Sequence, residues 1–196
     1  MLNFFGQHSL VEGDYSLNQI QVLEEIGRGN SRVYNATIKG QNYALKQMEV
    51  KSDYEYQNFL KEISLMKDMS EISTCMVKYI GYFITVMEIN QYTRQKYAFI
   101  IMECAETNLQ NFIAEAKCNS KLTKHEILTI LDFLVKAFAQ LEENKIAHCD
   151  IKPENILIMD SSKITIKLCD VGSCKVISNE AMEEATIYGT VPFLAP

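Results

Sequence analysis

The residues with the chemistry crowd into two short stretches. His148-Cys149-Asp150-Ile151-Lys152-Pro153-Glu154-Asn155 places a carboxylate and an amide five residues apart, and Asp170-Val171-Gly172 opens with a second carboxylate after an alternating strand. These oxygens are hard donors of the kind a divalent cation takes. Each residue alone has a plainer reading. A lone Asp near a Pro is commonly a turn residue, and Cys149, Cys169 and Cys174 are small apolar fillers unless something activates their thiols.

Taken together, the two stretches resemble the catalytic loop H-R-D-x-x-x-x-N and the D-F-G triplet of eukaryotic protein kinases. The resemblance implies that Asp150 accepts or orients a substrate hydroxyl proton and that Asn155 and Asp170 hold Mg²⁺. Lys152 stands where serine/threonine kinases carry Lys near the transferred phosphate, so Ser or Thr is the implied acceptor. His148 is read as a packed core histidine, its role in that family. Cys149 replaces the Arg of H-R-D, removing a guanidinium that would clasp a phosphate around Thr186 or Tyr188. Val171 replaces the Phe of D-F-G with a smaller apolar plug.

The first half of the chain carries the remaining parts in order. Tyr43-Ala44-Leu45-Lys46 resembles V-A-I-K, implying that Lys46 meets the α and β phosphates and pairs with Glu62. At 4 Å in a partly exposed setting such a pair gains roughly 4 kcal/mol of Coulomb attraction before desolvation, so orientation is its main contribution. Met66, one turn on, is expected to pack toward Val171. Gly27-Arg28-Gly29-Asn30-Ser31-Arg32-Val33 resembles the phosphate-covering glycine loop, with the third glycine replaced by Arg32 or lost through a one-residue deletion. The deletion is preferred because Val33 then covers the adenine with Ala44 and Leu157. For Gly27 and Gly29 an ordinary hairpin turn is the competing reading. Met102 is the expected gatekeeper, followed by hinge residues Glu103 and Ala105 whose backbone meets the adenine edge. Tyr188 to Pro196 resembles the segment running into A-P-E and stops one residue before its Glu.

These residues need elements to hold them. β-Branched and aromatic runs at Ile20 to Ile26, Val33 to Ile38, Tyr43 to Met48, Val77 to Ile84 and Tyr97 to Met102 predict five antiparallel strands, with a long polar loop over Glu88 to Lys96. Ser52-Asp53-Tyr54-Glu55 and Thr123-x-x-Glu126 have capping-box spacing. The first opens a helix of about four turns carrying Phe59, Ile63 and Met66; the second opens a helix whose apolar residues, Ile127 to Leu141, predict burial all round. Leu109 to Ala116 is a short helix, and Ile156 to Met159 and Ile164 to Leu168 are two short strands about a Ser161-Ser162 turn.

With 196 residues, 47% of them apolar, the chain buries a core without metal or disulfide. A net charge of −6 argues against nucleic-acid binding and against a polybasic membrane patch. The six cysteines form no C-x-x-C pair and read as reduced thiols. With no apolar run of membrane-spanning length and no secretory pattern at the N-terminus, the expected location is cytoplasmic, the nucleus included as an option.

The reading is an α+β, protein-kinase-like two-lobe fold: an extension over 1–18, a small lobe of five strands and one helix over 19–104, and a partial, helical large lobe over 105–196. The implied function is transfer of the γ-phosphate of ATP, with Mg²⁺, to a protein Ser or Thr. Two other readings stand beside it: a nucleotide-binding scaffold pseudokinase, and an inactive truncated fragment.

Overall fold

The computed structural model describes residues 8–28, 31–90, 92–119 and 122–177. They form two compact units, one of the described residues up to 68 together with those of 78–104, the other of 69–77 together with those from 105 onward.

In the first unit six strands make one antiparallel sheet: β1 (His8–Gly13), β2 (Ile20–Arg28), β3 (Arg32–Ile38), β4 (Gln41–Val50), β5 (Tyr79–Asn90) and β6 (Thr93–Glu103), in the order β1-β5-β6-β4-β3-β2. The β3–β4 reversal uses Lys39 and Gly40 at φ 52° and 79°, the two positive angles that a two-residue hairpin matching strand twist requires. The five expected strands all form. The segment expected as an extension adds a sixth, β1, paired with β5 from His8↔Met87 to Gly13↔Phe83. The polar stretch 88–96 is also mostly strand: β5 and β6 pair out to Asn90↔Thr93. The backbone of its described residues is therefore a two-stranded ribbon more than a loop.

Alternation divides the sheet into two faces. Phe83, Phe99, Ile101, Leu45, Ala36 and Tyr34 form a core on one face, with Phe83 and Phe99 stacked at 4.7 Å. The other face carries Lys46 on β4, whose strand neighbours are Val33 and Ile100. Helix α1 (Asp53–Ile72) is longer than expected. Its start is a capping variant: Glu55 N donates to Ser52 Oγ at 3.3 Å, while Glu55 Oε2 accepts from Lys51 N, one residue earlier than in the standard box. Its buried stripe is Phe59, Glu62, Met66 and Met69, a helical period that includes one carboxylate.

The second unit holds α2 (Leu109–Asn119) and α3 (Lys124–Glu143) with a three-stranded sheet ordered β10-β9-β7 and a two-stranded sheet β11-β8. The strands are β7 (Thr107–Asn108), β8 (Ile146–Ala147), β9 (Ile156–Asp160), β10 (Thr165–Leu168) and β11 (Lys175–Val176). The capping box of α3 is complete: Glu126 N donates to Thr123 Oγ1 at 3.2 Å and Thr123 N to Glu126 Oε2 at 2.6 Å. Segment 69–77 joins this unit through Val77 N to Leu168 O and Leu168 N to Cys75 O, both 2.8 Å, and through Ser73 Oγ donating to Gln140 Oε1 at 2.6 Å.

Burial of α3 all round does not hold. Ile130, Ala137 and Leu141 are buried, but Leu128, Leu131 and Val135 are more than half exposed because none of the described elements covers that face. No helix among the described residues is long and apolar enough to cross a membrane.

Candidate active site

In the second unit the catalytic-loop residues are knotted together by hydrogen bonds. Asp150 Oδ2 accepts from Lys152 Nζ at 2.7 Å and from Asn155 Nδ2 at 2.9 Å, and Asn155 Nδ2 also donates to Asp150 O at 2.9 Å. Both acceptors fix which end of the Asn155 amide is nitrogen. Its Oδ1 therefore makes no hydrogen bond among the described residues, in a residue only 7% exposed. A bare carboxamide oxygen in such a place suits a hard cation.

The turn that seats Asp150 is strained. Cys149 has φ 62°, a left-handed conformation that costs a non-glycine residue about 1–2 kcal/mol. Buried His148 bridges across it. His148 Nε2 lies 3.0 Å from Cys169 O, which can only accept, so this nitrogen carries the proton; Nδ1 is then the acceptor for Asp150 N at 3.4 Å. Burial is the main cause that holds the imidazole pKa below its ordinary value, which keeps this neutral tautomer. Cys149 Sγ donates to Ala147 O at 3.5 Å.

Cys169 ties the loop to Asp170. Its N donates to Asn155 O at 3.0 Å while its O holds His148, so the two bonds bracket the residue before Asp170. Asp170 has φ 64°, a left-handed turn that Asp tolerates better than most residues. Asp150, Lys152 and Asn155 thus share one hydrogen-bond network, and Asp170 follows Cys169, which is tied to Asn155 and His148. Leu157 follows on β9, half-buried and paired with Asn108 and Lys167; Ala105 opens the second segment of this unit.

In the first unit Lys46 Nζ meets Glu62 Oε1 at 2.7 Å, with the two side chains 13% and 8% exposed. The carboxylate on the buried stripe of α1 is thereby paired, as burial demands. Ala44 pairs with Met102, and Val33 with Lys46 and Gly27. Gly27 has no fold-imposed need to be glycine: an added Cβ would meet Val33 at an ordinary 3.6 Å. Gly29 and the stretch 188–196 lie outside the described residues.

Glu103 has more than a backbone role. Its N donates to Lys78 O at 3.1 Å and its Oε1 accepts from Lys78 N at 2.6 Å, locking the end of β6 to the start of β5. Ile26, an exposed apolar side chain at a bulge beside Gly27, was not singled out from sequence. The signal available was its place immediately before the glycine.

The burial of Cys75 and Cys104 raises their thiol pKa values and keeps them unreactive.

Residues 20–196 match the protein kinase domain family. The chain belongs to that family. Among similar proteins, this kinase domain is 31% identical over 182 residues to serine/threonine-protein kinase 4 homolog B of Dictyostelium discoideum, covering 91% of this chain and 15% of that protein. It is 29% identical over 180 residues to serine/threonine-protein kinase TIO of Arabidopsis thaliana, covering 89% of this chain and 12% of that protein. It is also 29% identical over 182 residues to serine/threonine-protein kinase MPS1 of Encephalitozoon cuniculi (strain GB-M1), covering 91% and 28%. The chain therefore spans between about an eighth and a little over a quarter of the length of these relatives. Its α+β architecture is that of a kinase domain with two lobes.

Proposed function

We propose that this kinase domain transfers the γ-phosphate of ATP to a Ser or Thr hydroxyl of a protein in the presence of Mg²⁺. The observation that carries the reading is the Asp150 carboxylate gripped by Lys152 and Asn155, with a bare Asn155 Oδ1 left over. The names of the three relatives support the choice of acceptor. The first unit is read as the small lobe, and the second as the described part of the large lobe.

Phosphoryl transfer asks a protein for position and charge stabilisation more than for covalent chemistry. Lys46, oriented by Glu62, binds the α and β phosphates. Gly27 and Gly29 leave room for backbone N–H groups to approach phosphate oxygens, while Val33, Ala44 and Leu157 line the adenine site and the backbone of Glu103 and Ala105 meets its edge. Asn155 Oδ1 and the Asp170 carboxylate would hold Mg²⁺, which neutralises charge on the phosphate oxygens. Asp150 orients the acceptor hydroxyl and takes its proton. Lys152, already bonded to Asp150, adds positive charge beside the oxygen that attacks. Neither Cys149 nor Val171 carries any of these proposed roles.

The test is phosphate transfer from labelled ATP to a mixed-sequence Ser/Thr protein substrate, by this chain and by a version extended past Pro196. Lys46→Met and Asp150→Asn serve as controls. The reading requires Mg²⁺-dependent labelling that both substitutions cut by about 10² or more. Nucleotide binding without transfer in the extended protein rejects it in favour of the scaffold reading.

A further inference from the structure

Residues 13–17, ahead of the family match, are fastened to β5 by more than strand pairing. Asp14 N donates to Tyr82 O at 2.8 Å and Asp14 Oδ2 accepts from Tyr82 N at 3.0 Å, so the strap takes up both main-chain polar groups of Tyr82. Next to them, Tyr15 lies directly over buried Gly81. A Cβ there would fall 2.7 Å from Tyr15 Cε2 and 3.0 Å from Asp14 Oδ2, so the absent side chain is what admits the ring. Gly13 likewise approaches so closely, at φ 142°, that a Cβ would sit 2.4 Å from Phe83 Cα. Tyr15 and Leu17 then close over the Phe83 and Phe99 core. Burial raises the phenol pKa of Tyr15, and burial followed by the Asp14 charge raises that of Tyr79 beside it.

The side chain of the clamped residue points the other way. The Tyr82 ring meets Phe59 of α1 edge-on, with centroids 5.9 Å apart at 64°. Phe59 is fully buried, and Glu62 lies one turn later on the same stripe of the helix, holding Lys46. A continuous chain of contacts within one unit therefore runs from Asp14 and Tyr15 through Tyr82 and Phe59 to the ion pair.

We infer that Asp14 and Tyr15 are positioning residues for the Lys46–Glu62 pair: the N-terminal strap fixes Tyr82, Tyr82 fixes Phe59, and the helix face that presents Glu62 is held in register with β4. Its consequence for catalysis rests on the role proposed above for Lys46, but the coupling itself does not. Loss of the strap frees Lys46 for a larger share of the time without dismantling the sheet.

The experiment uses the full chain with Asp14→Ala, which removes the acceptor; Asp14→Asn, which keeps it; and Gly81→Val, which displaces the Tyr15 ring. An amine-acylating reagent labels the protein, and mass spectrometry reads Lys46 against exposed Lys61 and Lys67 on α1. The expected result is a roughly three- to tenfold rise in relative Lys46 labelling for Asp14→Ala and Gly81→Val, the scale set by the lost hold on Tyr82 N, with Asp14→Asn close to wild type. Phosphate transfer, assayed alongside, should lose kcat in proportion to that rise, with the KM for the protein substrate unchanged. Unchanged Lys46 labelling, or a rise shared equally by Lys61 and Lys67, overturns the inference. If the wild-type protein transfers no phosphate, the kinase reading fails, while the labelling result still decides the coupling.

Discussion

Replacing Asn155 by Ala probes the catalytic loop without relying on any assay of activity. The carboxamide gives one hydrogen bond to a carboxylate, Asp150 Oδ2, and one to a backbone carbonyl, Asp150 O, each 2.9 Å long. Bonds to charged groups contribute about 1.5–3 kcal/mol and neutral ones about 0.5–1.5, so losing both costs roughly 2–4 kcal/mol where water has little access. The backbone bonds of residue 155, its N to Lys152 O and its O from Cys169 N, are unaffected. Urea unfolding at pH 7 should show a lower midpoint with an unchanged slope, and Tm should fall by about 4–16 °C for a chain of this size. Asn155→Asp should be worse at pH 7, because it sets a second carboxylate against Asp150 Oδ2. Its deficit should shrink on acidification, as the new carboxyl gains a proton and can donate. Stability of Asn155→Ala within about 0.5 kcal/mol of wild type, the range of an ordinary surface change, would refute the bridging role.

Gly27→Ala separates a glycine kept for the fold from one kept for a ligand: with ordinary space for a Cβ, its Tm should match or slightly exceed wild type while the KM for ATP rises. A falling Tm would assign the glycine to the hairpin turn. His148 gives a pH signature. Its folded pKa lies below the unfolded value of about 6.5, so the unfolded chain binds the extra proton first. Its contribution to stability is complete above that pH and declines as pH falls toward the folded pKa. An imidazole NMR titration should find the His148 midpoint below 6.5, and a midpoint at or above that value would contradict the effect ascribed to burial.

Much of the fold was legible because local pattern and long-range packing agree. Strands β2 to β6 carry β-branched and aromatic residues whose alternation matches the two faces of the sheet, and both helix starts announced themselves through Ser52 and Thr123. Strand β1 was not legible, since its partner lies some seventy residues away and its own residues show no period. The extension of the β5–β6 hairpin was hidden by polar residues that a ribbon tolerates as well as a loop does.

The catalytic loop and the Lys46–Glu62 pair were legible as spacing between residue types. The left-handed turns at Cys149 and Asp170 were not, because neither is a glycine and their backbone is set by contacts through His148 and Cys169. The bond from Lys78 N to Glu103 Oε1 is likewise a tertiary fact, joining residues 25 positions apart. The exposed face of α3 departs from an all-round apolar pattern that would ordinarily mean burial.

The function proposed above requires Lys46, Asn155 and Asp170 to serve the same Mg²⁺-chelated ATP. Calorimetric titration of the protein with ATP, with and without Mg²⁺, tests it most directly. Asp170→Ala should bind ATP alike in the presence and absence of Mg²⁺, while Lys46→Met weakens binding in both conditions. An Asp170→Ala protein that keeps the wild-type Mg²⁺ dependence, or a Lys46→Met protein that binds ATP as tightly as wild type, would contradict it.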